Sequence, residues 1–453
     1  MTLQTGHPEL VSKDRPTRIQ ELVVLGLVVM AFGPYVVPRA GLRTDHVLIY
    51  GLLFGLLSIA PFRVAFPRGT VLRFKPTMCM LAFFSFVTFW TLCVTFVGEP
   101  HYASTYALLA SLENYVQPMA LIVLMASFTG SISSESAHQL FIKASRCFIW
   151  ILVANTGIVL YSVIFGLPKV IVDYWQPQAS EGSLSVLLAS ASMSRYLGVF
   201  MQPVESGISY ALALLLWTYL CRRRRARMSD YAILILLLIG GSLSVSKTFI
   251  VGGMMLFIFY WLSGQGIRTL LNWRFLVFVV AAFYVITRVF RAWSGVDYFL
   301  RLFIPRLNDD PNLLFLYSAG RLGTTGSVTQ LFASVWRDSP FFGLGFGAIT
   351  PFDSAYAEFF VQGGLVALVA YFLIILNVFY IALKERARDD GLGTFLLFLV
   401  LLMVGAGFGA PVMTLNRFSI VMWVLLMLIY TSFNSRRVAW NSFRAEQTIP
   451  TTT

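Results

Sequence analysis

SPFFGLGFGAITPFDSAYAEFFVQGGLVALVAYFLIILNVFYIA, residues 339–382, joins a polar mouth directly to a membrane helix. It opens as a glycine-punctuated turn and carries Thr350, Pro351 and Asp353 in the T-P-x-D order of a helix start. It then runs apolar for the length needed to cross a bilayer. Ser354, Glu358 and Gln362 recur every four residues and so share one helical face, next to Gly363 and Gly364, where another helix or a ligand can approach closely. An acidic group at that depth needs a partner or a function.

Working outward, composition gives the same class. With 57% hydrophobic residues and 12% charged ones, a soluble globule of 453 residues is excluded, because its surface would need far more charge. The mean hydropathy of +0.75 agrees. The net charge of +13 does not signal nucleic acid, since the basic residues fall in short clusters between apolar segments, as orientation signals do. Cys79, Cys93, Cys147 and Cys221 lie in or beside apolar runs without metal-ligand spacing and read as small hydrophobes. The polar start, MTLQTGHPELVSKDRPTRIQE, has no cleavable-signal pattern.

The expected fold is therefore an all-α polytopic integral membrane protein of about 12 transmembrane helices, with residues 1–453 forming a single membrane domain. Hydropathy places the spans at 21–38, 46–62, 76–98, 112–129, 147–168, 203–221, 229–246, 248–264, 273–290, 356–383, 392–411 and 416–433. Arg63, Arg68, Arg73 and Lys75, then Lys143 and Arg146, Arg222–Arg225, Arg268 and Arg274, Lys384–Arg388, and Arg436 with Arg437 all fall on the side of the N-terminus. The positive-inside rule makes that side, and both termini, cytoplasmic. Two long connections, 169–202 and 291–355, lie on the opposite, periplasmic side. Loops of such length are uncommon unless they form lids or binding segments, and the apolar second loop suggests short helices on the outer membrane surface.

Basic residues on this outer side depart from the orientation rule. Arg195 in SRYLGVFMQPVESG precedes Pro203 and Gly207, which mark a kinked or re-entrant entry to a span; it either snorkels to headgroups or clamps a pyrophosphate. Lys247 in GGSLSVSKTFIVGG interrupts two apolar runs among Ser242, Ser244, Ser246 and Thr248, with small neighbours leaving room for an anionic group. Arg288, Arg291, Arg301, Arg306, Arg321 and Arg337 form a third group, which acidic neighbours pair in part. Arg288 and Arg291 share an i,i+3 face.

These motifs, in this order, resemble the O-antigen polymerase family, the Wzy-like integral membrane glycosyltransferases related to the O-antigen ligases. The resemblance rests on Arg195, Gly198, Pro203 and Gly207 in RYLGVFMQPVESG and on SVSKT at 244–248. It continues in PFFGLGFG at 340–347, followed by Asp353, Tyr356 and Gly363-Gly364, and covers about residues 185–384. The histidine of the ligase-like pattern is missing near 353–358, His7, His46, His101 and His138 being elsewhere, which favours polymerase over ligase.

The resemblance implies transfer of a growing glycan from undecaprenyl diphosphate to an incoming lipid-linked repeat unit, outside the bacterial inner membrane. It also implies inversion at the anomeric carbon without metal or cofactor, with a flippase and a chain-length regulator as partners. The residues suit that chemistry: Arg195, Lys247, Arg288, Arg291 and Arg321 are candidates for binding the diphosphate. Glu358 is the preferred base, with Asp353 and Glu205 as alternatives, although a capping box explains Asp353 and a salt bridge would explain Glu358. Tyr356 and Gln362 are candidates for positioning the substrate. An O-antigen ligase, a flippase of lipid-linked oligosaccharides and a non-catalytic assembly scaffold remain the alternatives.

Overall fold

Most of the described residues are helical in the computed structural model, which describes residues 16–37, 42–59, 75–97, 104–130, 132–175, 183–224, 227–265, 327–348, 354–388 and 391–447. Helix α1 (Arg18–Met30) begins in a capping box: Thr17 Oγ1 accepts from Gln20 N at 3.3 Å, and Gln20 Oε1 accepts from Thr17 N at 2.9 Å. The expectation of a first span over 21–38 is corrected here. Pro34 would clash with the carbonyl of Met30, so the helix stops there and the chain enters a short antiparallel pair, β1 (Tyr35–Val37) and β2 (Leu42–Arg43).

Helices α2 (Thr44–Ile59), α3 (Lys75–Val97), α4 (Thr105–Thr129) and α5 (Ser134–Phe165) follow. Helix α5 starts well before the span expected at 147–168, because Ser133 caps it and accepts from Ser136 N at 3.2 Å. Lys143 and Arg146 therefore lie on a helix rather than in a connection, and Lys143 reaches Glu21 of α1 at 2.5 Å. The first long connection contains α6 (Lys169–Trp175) and α7 (Ser183–Ser192). After α8 (Pro203–Arg222) and α9 (Met228–Leu243), a π-helical turn at Thr248–Gly253 leads into α10 (Met254–Gln265). The chain ends in α11 (Ser327–Asp338), α12 (Ala355–Arg386), α13 (Gly391–Ala406) and α14 (Asn416–Gln447). The expected span 273–290 and most of the loop 291–355 lie outside the described residues.

Six of these helices are long and apolar enough to cross a membrane: α3, α4, α5, α8, α12 and the Arg417–Asn434 part of α14. Shorter apolar helices occupy Thr44–Ser58, Met228–Leu243, Thr248–Ser263 and Gly391–Ala406. This marks a helical, membrane-embedded protein.

Two helices form the axis of the bundle. The apolar windows of α14 and α8 are 94% and 89% buried, against 39–50% in the other four, so these two are surrounded by protein and the rest face lipid on one side. Helix α14 packs on α1, α4 and α5, while α8 packs on α5, α9, α10 and α13. Small residues let the backbones close in: a Cβ at Gly207 would lie 2.2 Å from Ser246 Oγ, and one at Gly253 would lie 2.6 Å from Ala211 Cβ. In the second long connection α11 lies against α12, with Phe332 stacked on Phe360 at 4.6 Å and Val335 buried beside Phe360 and Val361.

Candidate functional site

Helix α12 is broken near its start. Gly364 adopts φ 66° and ψ −162°, which a residue with a Cβ rarely tolerates, and the break exposes the backbone groups on either side of it. The glycine-rich turn 340–345 takes them up: Leu344 N donates to Val361 O at 2.7 Å, Gly345 N to Gln362 O at 3.0 Å, and Leu365 N to Pro340 O at 2.9 Å. Trp90 Nε1 satisfies Gly363 O at 3.0 Å. Gly343, Gly345 and Gly347 all have positive φ, so PFFGLGFG is a backbone clamp for the broken helix.

The turn of α12 before the break carries the acidic residue. Glu358 is buried, and Oε2 accepts from Thr414 Oγ1 at 2.7 Å; among the described residues no cationic side chain pairs with it. The interhelical salt bridge that would have explained Glu358 is not found among these residues. One turn on, Gln362 is buried with neither its amide nitrogen nor its amide oxygen hydrogen-bonded among the described residues, a costly state for a group with several bonds to make. Ser354 Oγ donates to Gly407 O at 3.0 Å and Tyr356 Oη to Val404 O at 2.8 Å, so both hold α12 to α13. Asp353 lies outside the described residues.

Glu205, in the first turn of α8, has a different occupation. Its Oε1 accepts the backbone N–H of Arg417 at 3.3 Å, placing a carboxylate at the start of α14, where free amides and the helix dipole favour negative charge. The buried Arg417 guanidinium donates to Val199 O and, at 2.6 Å, to Tyr174 Oη, and it lies 4.6 Å from the Trp175 ring centroid. Tyr174 in turn donates to Phe32 O and Gly33 O at 3.0 and 2.7 Å. Burial pushes the Tyr174 hydroxyl above the usual phenol range, against the pull of Arg417, so it stays protonated and keeps donating.

Arg195 and the Lys247 turn come together. The half-buried Arg195 donates through Nη2 to Val245 O at 3.4 Å, and Tyr196 N donates to Leu243 O at 3.0 Å, which seats the 195–196 backbone on the turn between α9 and the π-helical segment. Val245 is held at φ 47°, an uncommon conformation for a β-branched residue. Lys247, at the N-cap of the π-helical turn, is half-buried. Arg288, Arg291, Arg301, Arg306 and Arg321 lie outside the described residues, and Arg337 pairs with Asp338 at an exposed site.

The 407–415 turn between α13 and α14 connects these parts. Gly407 O receives Ser354 Oγ and Ala355 N, a Cβ at Gly409 would lie 3.7 Å from Thr248 Oγ1 beside Lys247, Thr414 binds Glu358, and Arg417 follows with Glu205 on its amide. Sequence reasoning missed Arg417, although in the expected topology an arginine opening the last span would depart from the orientation rule as Arg195 would.

A second missed cluster follows β2. The buried Arg43 makes a bidentate pair with Asp45, Nε–Oδ1 at 3.0 Å and Nη2–Oδ2 at 2.8 Å; Gln117 Nε2 adds a third bond to Asp45 at 3.0 Å. His46 Nε2 lies 3.0 Å from Arg43 Nη2 and 3.3 Å from Glu113 Oε1. Burial alone would lower the Arg43 pKa, but the Asp45 carboxylate outweighs it and holds the value above the ordinary one. Among the described residues no group of three or more His, Cys, Asp or Glu side chains is placed to hold a metal ion.

No protein-family model and no curated protein matches this chain. Chemically, the arrangement offers a buried carboxylate able to take a proton, an amide ready to bind a polar ligand, and two cationic side chains beside one turn.

Proposed function

We propose that the protein is a metal-independent, inverting membrane glycosyltransferase that extends a lipid-linked glycan. It would move the growing chain from undecaprenyl diphosphate to an incoming lipid-linked repeat unit, as its motifs imply by their resemblance to the Wzy-like polymerases. Glu358 and Gln362 carry the proposal: one turn apart on a broken helix, they present a carboxylate with a single hydroxyl donor and an amide with none among the described residues.

In this mechanism Glu358 accepts the proton of the acceptor sugar's hydroxyl as its oxygen attacks the anomeric carbon. The bond from that carbon to the diphosphate oxygen breaks, and the lipid diphosphate leaves with the electron pair. Arg195 and Lys247, with Arg288, Arg291 and Arg321 as further candidates, stabilise that developing charge. Gln362 hydrogen-bonds the sugar, and Tyr356 keeps α12 on α13 rather than contacting substrate. Glu205 serves the start of α14. The bacterial inner membrane, periplasmic access to the site, and partnership with a flippase and a chain-length regulator belong to the same proposal.

The break at Gly364 and the π-helical turn favour a second reading, a lipid-linked oligosaccharide transporter, because discontinuous helices recur in transport sites. One experiment separates the two. Purified full-length protein is given a lipid-diphosphate-linked repeat unit without nucleotide, with and without divalent cation. Longer lipid-linked oligomers in both arms support the polymerase; movement of the intact lipid across liposomes without extension overturns it in favour of transport. Transfer to a lipid A-core acceptor alone would identify a ligase.

A further inference from the structure

At the end of α8 that carries Cys221, remote from Glu205, a cleft of about 390 Å³ opens between α5, α8 and α9. Arg146, Trp150, Trp217, Arg224, Asp230 and Leu236 are among its lining residues. The charges do not cancel. Asp230 is engaged twice: Oδ1 pairs with Arg224 at 2.6 Å and Oδ2 accepts the Arg227 amide at 2.7 Å. Arg146 is exposed and has no carboxylate within ion-pair distance among the described residues, so the cleft keeps an uncompensated positive charge.

Ile149, Leu220, Ile233 and Leu236 give the cleft an apolar floor. Trp150, 58% exposed, stands at its edge on the lipid-facing side of α5. Arginine with tryptophan midway along α5, where the helix turns from its polar first half to its apolar second half, is the composition of a membrane interface, where the charge meets headgroups and the ring meets the upper acyl chain. A cleft of about this size falls in the range of roughly 300–1,000 Å³ that small ligands fill, enough for a headgroup while the acyl chains stay in the bilayer.

We infer that this cleft binds the headgroup phosphate of an anionic phospholipid, with Arg146 as the principal donor, Arg224 as the second and Trp150 against an acyl chain. The site is independent of glycan transfer and lies at the opposite end of the bundle's axial helix α8 from the candidate active site. Binding there would fix the middle of α5 together with the end of α8 and the start of α9 in the interface, because the lipid contacts all three.

Native mass spectrometry of the full-length protein tests this, with phosphatidylglycerol and phosphatidylcholine supplied at equal concentration. The wild type is expected to retain phosphatidylglycerol preferentially, and Arg146→Gln to reduce that preference about fivefold, the effect of one basic residue at an anionic surface. Arg146→Lys should keep most of the preference, since the charge remains. Arg386→Gln, which removes an exposed arginine from the last turn of α12, should leave the preference unchanged. Equal retention of the two lipids by the wild type, or identical behaviour of Arg146→Gln and Arg386→Gln, would overturn the site. Arg146 makes no ion pair among the described residues, so its replacement is compatible with folding.

Discussion

Glu205 Oε1 accepts the backbone N–H of Arg417 across 3.3 Å, joining residues 212 apart where the two most buried helices begin. The contact makes Glu205 a cap for α14, and a cap is separable from a base. Glu205→Gln keeps an accepting oxygen but loses the charge, so it should cost about 0.5–2 kcal/mol in detergent unfolding and leave turnover per folded molecule near normal. Abolished turnover with unchanged unfolding would make Glu205 the base instead.

Glu358 should behave in the opposite way. Glu358→Gln retains shape but not proton acceptance, so glycan extension should fall by about 10²–10⁴-fold with little change in substrate KM. Thr414→Val, which removes the 2.7 Å hydroxyl contact, should slow extension by less, and Thr414→Ser should restore most of the rate. Normal extension by the Gln variant rules out Glu358 as the base.

Arg417 is built into the interior, with its guanidinium on Val199 O, Tyr174 Oη and the Trp175 ring. Arg417→Ala keeps the backbone N–H that Glu205 accepts but leaves Val199 O and Tyr174 Oη without their buried donor, and should destabilise the protein by about 1–3 kcal/mol for each orphaned acceptor. Arg417→Lys should recover part of the loss, because an ammonium lacks the planar fork that serves two acceptors at once. Unfolding midpoints in one detergent measure both, and equal midpoints for the wild type and the Ala variant would contradict the packing described.

Gly364→Ala tests the clamp. A Cβ there would lie 2.2 Å from Phe341 O at φ 66°, so the variant should lose about 1–3 kcal/mol or more from backbone strain and displacement of the turn. Gly51→Ala in α2 is the control, since a Cβ there meets nothing within 4 Å and helix propensity favours alanine. Comparable unfolding of the two variants would show that the helix does not depend on the break.

Orientation gives the last prediction. Cysteines introduced at 195 and 247 should react with an impermeant reagent from the side opposite to those introduced at 224 and 384, with the latter pair cytoplasmic. Labelling of 224 from outside intact cells would reverse the proposed topology.

Much of this architecture was legible in the chain. Hydropathy located α8 and α12 almost to the residue, because Pro203 opens one helix and the apolar run fills the other. The four-residue spacing also put Glu358 and Gln362 on one face. The early end of α1 was written in Pro34, although the apolar run masked it. Arg417 and the Arg43 cluster went unnoticed because each is a single basic residue beside a span, and their significance comes from partners distant in sequence, such as Tyr174 and Gln117.

The sequence by itself determined that this is a helical membrane protein, because burial in lipid depends on local runs of apolar residues and on backbone hydrogen bonds made within each helix. It also determined which residues bear charge where charge is costly. Tertiary structure alone decided what those charges do. Glu205 capping α14, Thr414 on Glu358 and the glycine turn filling the gap at Gly364 all join backbone and side-chain groups from separate helices. Such bonds depend on how the helices pack, and no local pattern in the chain encodes the partner of a buried polar group.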